Sequence, residues 1–257
     1  MLSRIVAEIR EKVAHDRAKF PISTKEIQPG NFSLSRALKQ SSWSLIAECK
    51  LASPSKGRLC QTHSVPDLAK IFSQNGATAL SVHTSAPFLG KISDIPVVKA
   101  VASLPVLRKD FIIDEYQLYQ ARAAGADAIL LIAAILNQSE LERFLELSRI
   151  LGMDALVEVH SLPELERVQQ TRAELLGINN RNLTTFKTSL ENTFSLLPYC
   201  APERLIISES GIADETDALR LKDAGVRGAL VGESLVRSAD IARKTRELAL
   251  LQNGLEE

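Results

Sequence analysis

The sequence predicts an α/β protein: a single (β/α)8 barrel, or TIM barrel, with an N-terminal helical extension. Eight short apolar runs alternate with amphipathic helical patterns along the chain, and this order indicates a parallel sheet covered by helices. The length of 257 residues is close to the roughly 250 that such a barrel needs. An open doubly wound sheet is the alternative, but no glycine-rich dinucleotide-binding turn follows the first strand.

The predicted domain has two parts, an extension at residues 1–44 and a barrel at residues 45–257. Over residues 2–19, apolar side chains recur every fourth residue among charged ones. This spacing predicts an amphipathic helix that ends before Pro21. A second short helix is predicted around residues 34–38. We expect one domain, because no linker or low-complexity tract interrupts the chain.

Apolar runs that predict strands alternate along the chain with patterns that predict helices, and together they give the elements of the barrel. The predicted strands are residues 45–50, 79–82, 106–107, 128–132, 155–159, 175–178, 205–207 and 228–232. Helical patterns lie between them, among others at residues 65–75, 115–124, 139–151, 163–171 and 215–224. Four of these helices are followed by a glycine that suits a helix C-cap: Gly76, Gly125, Gly152 and Gly225.

Composition excludes several classes of partner. A net charge of zero, without a basic stripe between aromatics, argues against nucleic acid. No apolar run approaches the roughly 18 residues of a membrane span, and the charged N-terminus does not resemble a signal peptide. Three cysteines, Cys49, Cys60 and Cys200, fit a reducing compartment and not a disulfide framework or zinc motif. We therefore expect a cytoplasmic protein without a nucleic-acid or membrane partner.

Charged side chains cluster at the carboxyl ends of the predicted strands, where barrels of this type place their active sites. Because side chains alternate along a strand, Glu48 and Lys50 share one face of the first strand. Lys109, Glu158 and Glu209 can point into the same barrel mouth. Such a group would shift its members' pKa values, as general acid–base catalysis requires. A structural ion-pair network is the alternative, although burying five charges for stability is usually unfavourable.

A second group of residues suits phosphate binding. Ser210-Gly211 follows the seventh strand and Gly232-Glu233-Ser234 the eighth, and loops at these two positions commonly hold phosphate in such barrels. Two ordinary strand-to-helix turns are the alternative reading. The sequence shows no metal-ligand spacing of His, Cys and carboxylates, so we expect no metal. It also shows no nucleophile elbow, which disfavours a Ser-His-Asp hydrolase.

Six motifs, taken together, resemble those of the indole-3-glycerol-phosphate synthase family. In chain order they are Ile46–Gly57, Leu107–Ile112, Glu158–Val159, Gly177–Arg181, Ile207–Ile212 and Val231–Leu235. They occur in the family's order and at its spacing, and a helical extension before the first strand is also typical of the family. The resemblance implies a phosphate-binding barrel of tryptophan biosynthesis. Such an enzyme converts 1-(2-carboxyphenylamino)-1-deoxyribulose 5-phosphate to indole-3-glycerol phosphate, CO2 and water, without cofactor or metal.

The same resemblance implies roles for individual residues. Lys109 would be the general acid that polarises the ribulosyl carbonyl. Lys50, Glu48 and Glu158 would share the acid and base steps of water loss, in a division that the sequence leaves open. Glu209 would orient the lysines, and Asn179 would hydrogen-bond the substrate. Arg181 and Lys50 would meet its carboxylate and phosphate, and the phosphate cradle would comprise Ser53, Ser210, Gly211, Gly232 and Glu233.

Some positions depart from the family pattern, namely His83, Ser85, Asn182 and Glu115. We interpret His83 as a packing or mouth residue and not as a ligand. Two other functions stay open. One is a different sugar-phosphate lyase that forms a Schiff base through Lys109, and the other is a non-catalytic or weakly active paralogue that binds an aromatic sugar phosphate. We expect a small-molecule substrate and a monomer, with weak homo-oligomerisation as the alternative.

Overall fold

Eight parallel strands close into a barrel in the computed structural model, which describes residues 2–54, 56–182, 185 and 187–251. The barrel strands are β1 (Ser44–Cys49), β4 (Ala79–His83), β5 (Val106–Lys109), β6 (Ala128–Ile132), β7 (Asp154–Val159), β8 (Leu175–Asn179), β9 (Leu205–Glu209) and β10 (Gly228–Val231). Each pairs with its neighbours in chain order, and β1 also pairs with β10. The predicted fold class is therefore confirmed.

Helices precede and connect the strands. They are α1 (Leu2–Lys19), α2 (Ser33–Lys39), α3 (Val65–Gln74), α4 (Asp94–Val101), α5 (Glu115–Ala123), α6 (Gln138–Ile150), α7 (Leu162–Gln169), α8 (Glu191–Leu196), α9 (Glu215–Asp223), α10 (Glu233–Val236) and α11 (Ile241–Leu248). Short 3-10 turns span Thr24–Glu26, Ala86–Phe88 and Leu197–Tyr199. The loop after β1 carries a small antiparallel hairpin, β2 (Ala52–Ser53) with β3 (Gly57–Arg58). None of the described helices is long and apolar enough to cross a bilayer.

Alternating side chains divide each barrel strand between two cores. In β6, for example, Ala128, Leu130 and Ile132 fill the barrel interior, whereas Ile129 and Leu131 pack against the surrounding helices. All five are buried, so the strand is apolar along its whole length, as expected for a parallel sheet covered on one side and filled on the other. This continuous apolar character is the reason that the strands were recognisable in the sequence.

The N-terminal extension closes the bottom of the barrel. Leu34 and Leu38 of α2 are fully buried and belong to the interior core. The backbone N–H of Ser35 donates to the Asp154 carboxylate at the start of β7 (2.9 Å). Farther out, Tyr116 of α5 donates its hydroxyl to the carbonyl of Phe20 (2.9 Å), which fixes the end of α1. The opposite end of the barrel is thereby left as the open one.

A tight seam joins the first and last barrel strands. Ser44 of β1 pairs with Gly228 of β10. A Cβ on Gly228 would lie 2.3 Å from the carbonyl oxygen of Ser44, so only glycine allows this approach. Beside the seam, the Trp43 indole N–H donates to the carbonyl of Leu248 in α11 (2.9 Å). The seam therefore couples the start of the barrel to the last described helix.

The predicted elements agree with the observed ones to within about two residues at most ends. The helix predicted at residues 2–19 is α1, and the short one at 34–38 is α2. The structure adds four helices that the sequence patterns did not single out, α4, α8, α10 and α11, and the hairpin in the first loop. Ser55 of the first-loop motif, Met1 and residues 252–257 of the predicted domain lie outside the described residues.

Candidate active site

A cavity of about 620 Å3 opens at the carboxyl ends of the barrel strands. It is lined by eleven of the twelve residues predicted for the site: Glu48, Lys50, Lys109, Glu158, Asn179, Arg181, Glu209, Ser210, Gly211, Gly232 and Glu233. Ser53 is the exception. It lies in β2, where its buried Oγ forms no hydrogen bond with a described residue. Lys56, from the same loop, lines the cavity.

Lys109 stands at the end of β5 between two carboxylates. Its Nζ lies 2.5 Å from Oε2 of Glu209 and 3.1 Å from Oε2 of Glu158, and all three side chains are largely buried. On its other side, Glu158 is 3.3 Å from Nε2 of His160. The ammonium is thus held in one position at the floor of the cavity by fixed negative charge.

These charges set each other's protonation. Burial alone would lower the pKa of Lys109, but the carboxylates of Glu209, Glu158 and Glu48 outweigh it and hold the pKa above its usual value. Burial raises the pKa of Glu209 to about 7, which Lys109 opposes and Glu158 reinforces. For Glu158, burial is outweighed by Lys109 and His160, and the pKa falls below its usual value. The cluster therefore holds a charged lysine beside a carboxyl group poised to exchange a proton near neutral pH.

The end of β5 is anchored from its outer side. Arg108 is buried, and its guanidinium donates to Thr84 Oγ1 (3.0 Å), to the Gln117 carbonyl (2.7 Å) and to Asp110 Oδ2 (2.9 Å). These contacts tie β5 to the end of β4 and to α5. Because Arg108 and Asp110 flank Lys109 in sequence, the network fixes the backbone from which the lysine projects.

Glu48 and Lys50 form a second charged group at the end of β1. Lys50 Nζ lies 3.3 Å from Glu48 Oε2, and Nε2 of His83 lies 2.9 Å from Glu48 Oε1. Burial alone would raise the pKa of Glu48, but the charge of Lys50, with His83 and Lys109, holds the pKa well below its usual range. Glu48 is therefore ionised, which suits a base or an electrostatic partner and not an acid.

Two glycines leave room for the carboxylates. A Cβ on Gly177 of β8 would lie 2.2 Å from Oε1 of Glu209, and a Cβ on Gly232 would lie 2.2 Å from Oε2 of Glu48. Neither glycine has a positive φ, so the requirement comes from space and not from backbone conformation. Each glycine thus sets the position of one charged side chain on the neighbouring strand.

The loops after β9 and β10 form one end of the cavity. Ser210 and Gly211 both have positive φ (66° and 83°), and Gly232 leads directly into α10. Ser234 Oγ donates to the carbonyl of Ile212 (2.8 Å), which holds the two loops together. Lys56 Nζ lies 2.5 Å from Glu233 Oε1, and Arg237 also lines this end. Backbone amides, two cations and close-approach glycines are the groups that bind phosphate.

Asparagines shape the loop after β8. Oδ1 of Asn179 accepts the backbone N–H of Arg181 (3.0 Å). Asn180, to which the sequence assigned no role, is buried, and its amide donates to Ser208 Oγ and to the Ser210 carbonyl (both 2.9 Å). It therefore supports the neighbouring loop from behind. The alternation of side chains along the strand is the signal that separates the outward Asn180 from the inward Asn179.

Sequence reasoning assigned no site role to several residues that line the cavity, namely Lys56, His83, Ser85, Phe88, Phe111, Thr188 and Arg237. His83, interpreted above as a packing or mouth residue, is in the mouth. Its place on the inward face of β4 was readable from alternation with Ser81. Phe88 and Phe111, with Leu130, Ile132 and Leu230, give the cavity an apolar wall suited to an aromatic ring. Within the described chain, no three His, Cys, Asp or Glu side chains are grouped to hold a metal ion.

Solved structures share this fold at low sequence identity. The 3-hexulose-6-phosphate synthase from Salmonella typhimurium superposes with a TM-score of 0.63 at 14% identity, covering 80% of this chain and 97% of that one. The thiamine phosphate pyrophosphorylase from Pyrococcus furiosus gives 0.61 at 17% identity, covering 82% and 95%. Identities this low establish the barrel alone, because one barrel supports many functions.

Proteins related to this chain by sequence are identical to it at many more positions than these solved structures are. A protein from Desulforamulus reducens named indole-3-glycerol phosphate synthase is 50% identical over 240 residues, covering 93% of this chain and 89% of its own length. One of the same name from Dehalococcoides mccartyi strain CBDB1 is 43% identical over 257 residues, covering 96% and 99%. The family model described as indole-3-glycerol phosphate synthase matches residues 2–248. The chain therefore belongs to the indole-3-glycerol phosphate synthase family.

Proposed function

We propose that this protein is an indole-3-glycerol-phosphate synthase, a carbon–carbon lyase of tryptophan biosynthesis. Its substrate is 1-(2-carboxyphenylamino)-1-deoxyribulose 5-phosphate, and its products are indole-3-glycerol phosphate, CO2 and water. The observation that carries the proposal is Lys109, held between Glu158 and Glu209 on the floor of a cavity that has an apolar wall and, at one end, loops suited to a phosphate. Membership of the family supplies the reaction, and the arrangement supplies its acid and bases.

Ring closure comes first. The ring carbon that bears the carboxylate attacks the ketose carbonyl carbon, and the Lys109 ammonium gives its proton to the carbonyl oxygen. A lysine with a raised pKa is fully charged at neutral pH and therefore stabilises the negative charge that develops on that oxygen. Glu209, with a pKa of about 7, is close enough to return a proton to Lys109. Loss of CO2 then leaves its bonding electrons in the ring and restores aromaticity.

Loss of water completes the reaction. The new hydroxyl leaves with a proton from an acid, while a base removes a proton from the adjacent carbon. Glu48 and Glu158 are both held ionised, which suits the base, and leaves the Lys50 ammonium as the donor among the three candidates. The pairing of Lys50 with Glu48 at 3.3 Å supports this division.

Binding is divided along the cavity. Arg181 and Lys50 bind the substrate carboxylate, Asn179 hydrogen-bonds the sugar chain, and the aromatic ring packs against Phe88 and Phe111. At the other end, Ser210, Gly211, Gly232 and Glu233 bind the phosphate, the glycines and Glu233 through backbone N–H groups. Lys56 and Arg237 add positive charge there. Holding both ends of the substrate brings the reacting carbons together.

The residues with a proposed role in the reaction all belong to one barrel, which supports action as a monomer. The synthesis of an amino acid from soluble phosphate esters supports a cytoplasmic location. We propose both as parts of the function.

Turnover of the substrate, followed by the fluorescence of the indole product, tests the proposal. We expect the wild-type protein to form product and Lys109→Met to lose about 10²–10⁴-fold in kcat, because it lacks the acid. Lys12→Met, an exposed lysine of α1, is the matched control and should retain full activity.

No product from the wild-type protein, with the substrate still bound, would refute the synthase and favour a binding paralogue. An adduct on Lys109 that borohydride traps would instead favour a Schiff-base lyase.

A further inference from the structure

We propose that His83 is a positioning residue that fixes the Glu48 carboxylate so that Oε2 faces Lys50. The inference rests on the proposed function, because it assigns His83 a part in the same reaction. His83 acts through Glu48 and is not itself placed on the reacting atoms. Its role follows from its location on β4, its contacts and the packing that immobilises its ring.

The register of the barrel places His83 between the two charged groups of the site. On β4, Ser81 pairs with Glu48 of β1, and His83 pairs with Lys109 of β5. Val82, between them in sequence, belongs to the outer core. Ser81 and His83 therefore share the inward face, with His83 nearer the open end of the barrel. Its ring is only 6% exposed and lines the cavity.

His83 and Lys50 divide the Glu48 carboxylate between them. Nε2 of His83 lies 2.9 Å from Oε1, and Nζ of Lys50 lies 3.3 Å from Oε2. Nε2 is fully buried and makes no aligned hydrogen bond with a described residue, so the close electrostatic contact with Glu48 is the polar interaction through which it acts. With both oxygens engaged, the carboxylate has one orientation.

Packing holds the imidazole ring in place. The ring stacks on Phe88 with centroids 4.1 Å apart and planes 3° from parallel. Lys50 Nζ in turn lies 5.7 Å from the Phe88 centroid. We call Glu48, Lys50, Phe88 and His83 the Glu48 quartet, because in this order each member contacts the next and His83 contacts Glu48. The loop behind it is also constrained, since a Cβ on Gly90 would lie 2.1 Å from the carbonyl oxygen of His83.

The charge state of the ring suits this role. Burial lowers the pKa of His83, and the nearby Lys50 and Lys109 lower it further, although Glu48 opposes both. A neutral imidazole can direct an N–H at the carboxylate without adding a third positive charge between two lysines. Glu48 then keeps its negative charge for Lys50. An apolar side chain at position 83 could stack on Phe88 but could not hold the oxygen.

Kinetics of three variants test the proposal. In His83→Met the donor is removed, and we expect kcat to fall about 10-fold to 100-fold with KM changed less than about two-fold, because the carboxylate is misplaced and not the substrate. In His83→Gln an amide N–H can reach the place of Nε2, and kcat should stay within about three-fold of wild type. In His83→Asn the amide is one bond too short, and the loss should match that of His83→Met.

A double-mutant cycle with Glu48→Gln separates this role from a structural one. If His83 acts through Glu48, His83→Met should cost nothing further in the Glu48→Gln background. An equal loss in both backgrounds, or equal losses in His83→Gln and His83→Met, would overturn the proposal. The Gln and Asn pair keeps the test decisive if the Met variant fails to fold.

Failure of the inference and failure of the function give different results. Wild-type turnover with an unimpaired His83→Met refutes the positioning role alone. Absence of wild-type turnover removes both proposals.

Discussion

Gly177 offers a direct test of how the lysine–carboxylate cluster is held. The change is Gly177→Ala, which adds one methyl group on β8. That Cβ would lie 2.2 Å from Oε1 of Glu209 and 3.2 Å from its Cδ. Ordinary contacts begin near 3.4 Å, so the carboxylate has to retreat by about 1 Å. Glu209 is buried and bonded to Lys109 at 2.5 Å, and its movement displaces the proposed general acid.

We expect Gly177→Ala to lower the catalytic rate strongly and the free energy of unfolding only moderately. A misplacement of about 1 Å at a catalytic group lowers rate by about 100-fold, so kcat should fall by about that factor. One extra methyl group in a packed interior costs about 1–3 kcal/mol of unfolding free energy, and the variant should therefore still fold. Indole fluorescence measures the first quantity, and thermal unfolding by circular dichroism measures the second.

A second substitution supplies the control. Glu209→Asp withdraws the carboxylate by one methylene, which removes the atom that the new Cβ would meet. Gly177→Ala should therefore cost little further activity in a Glu209→Asp background. Wild-type kcat in the single variant would refute the reasoning, because it would mean that Glu209 is free to move without displacing Lys109.

Three further predictions concern stability. The folded protein holds a proton on Glu209, with a pKa of about 7, that the unfolded chain releases near 4.5. The contribution of Glu209 to the unfolding free energy should thus fall by about 3 kcal/mol as pH rises between these values, and in urea titrations Glu209→Gln should lack this contribution to the pH dependence. Arg108→Lys should cost about 3 kcal/mol in chemical denaturation, because a compact ammonium cannot span the three buried acceptors that Nε, Nη1 and Nη2 reach separately. Arg149→Lys in the exposed pair with Glu146 should leave the midpoint unchanged. Tyr116→Phe removes the hydrogen bond to Phe20, worth about 1 kcal/mol, and should speed amide exchange in α1 by about five-fold without lowering the global melting temperature.

The sequence predicted those features of the fold and site that depend on the polarity of individual residues along one segment. The apolar strands are buried on both faces, so Ala128–Ile132 reads as a strand without any tertiary information. Glu48, Lys109 and Glu158 stand out for the opposite reason, because charge at the end of an apolar strand is costly unless the site needs it. Both signals are local, and both led to the barrel and to its open end.

Contacts between strands were not readable in the same way. The pairing of His83 with Glu48 depends on the register of β4 against β1, which the sequence of either strand does not contain. Gly177 looked like one of several glycines in strands until its distance from Glu209 was known. Ser53 lies outside the cavity because a hairpin turns the first loop, and two-residue strands leave too little pattern to predict.

The seam between β1 and β10 has a consequence for synthesis. A ribosome adds roughly 5–20 residues per second, so about 10–40 s separate the appearance of Ser44 from that of its partner Gly228. Until then β1 has an unpaired edge, of the kind that invites association with other chains. Glu48 stands on β1, and Gly232, which leaves room for it, follows β10. The residues that line the cavity from β10 to Arg237 are therefore the last part of the site to be synthesised.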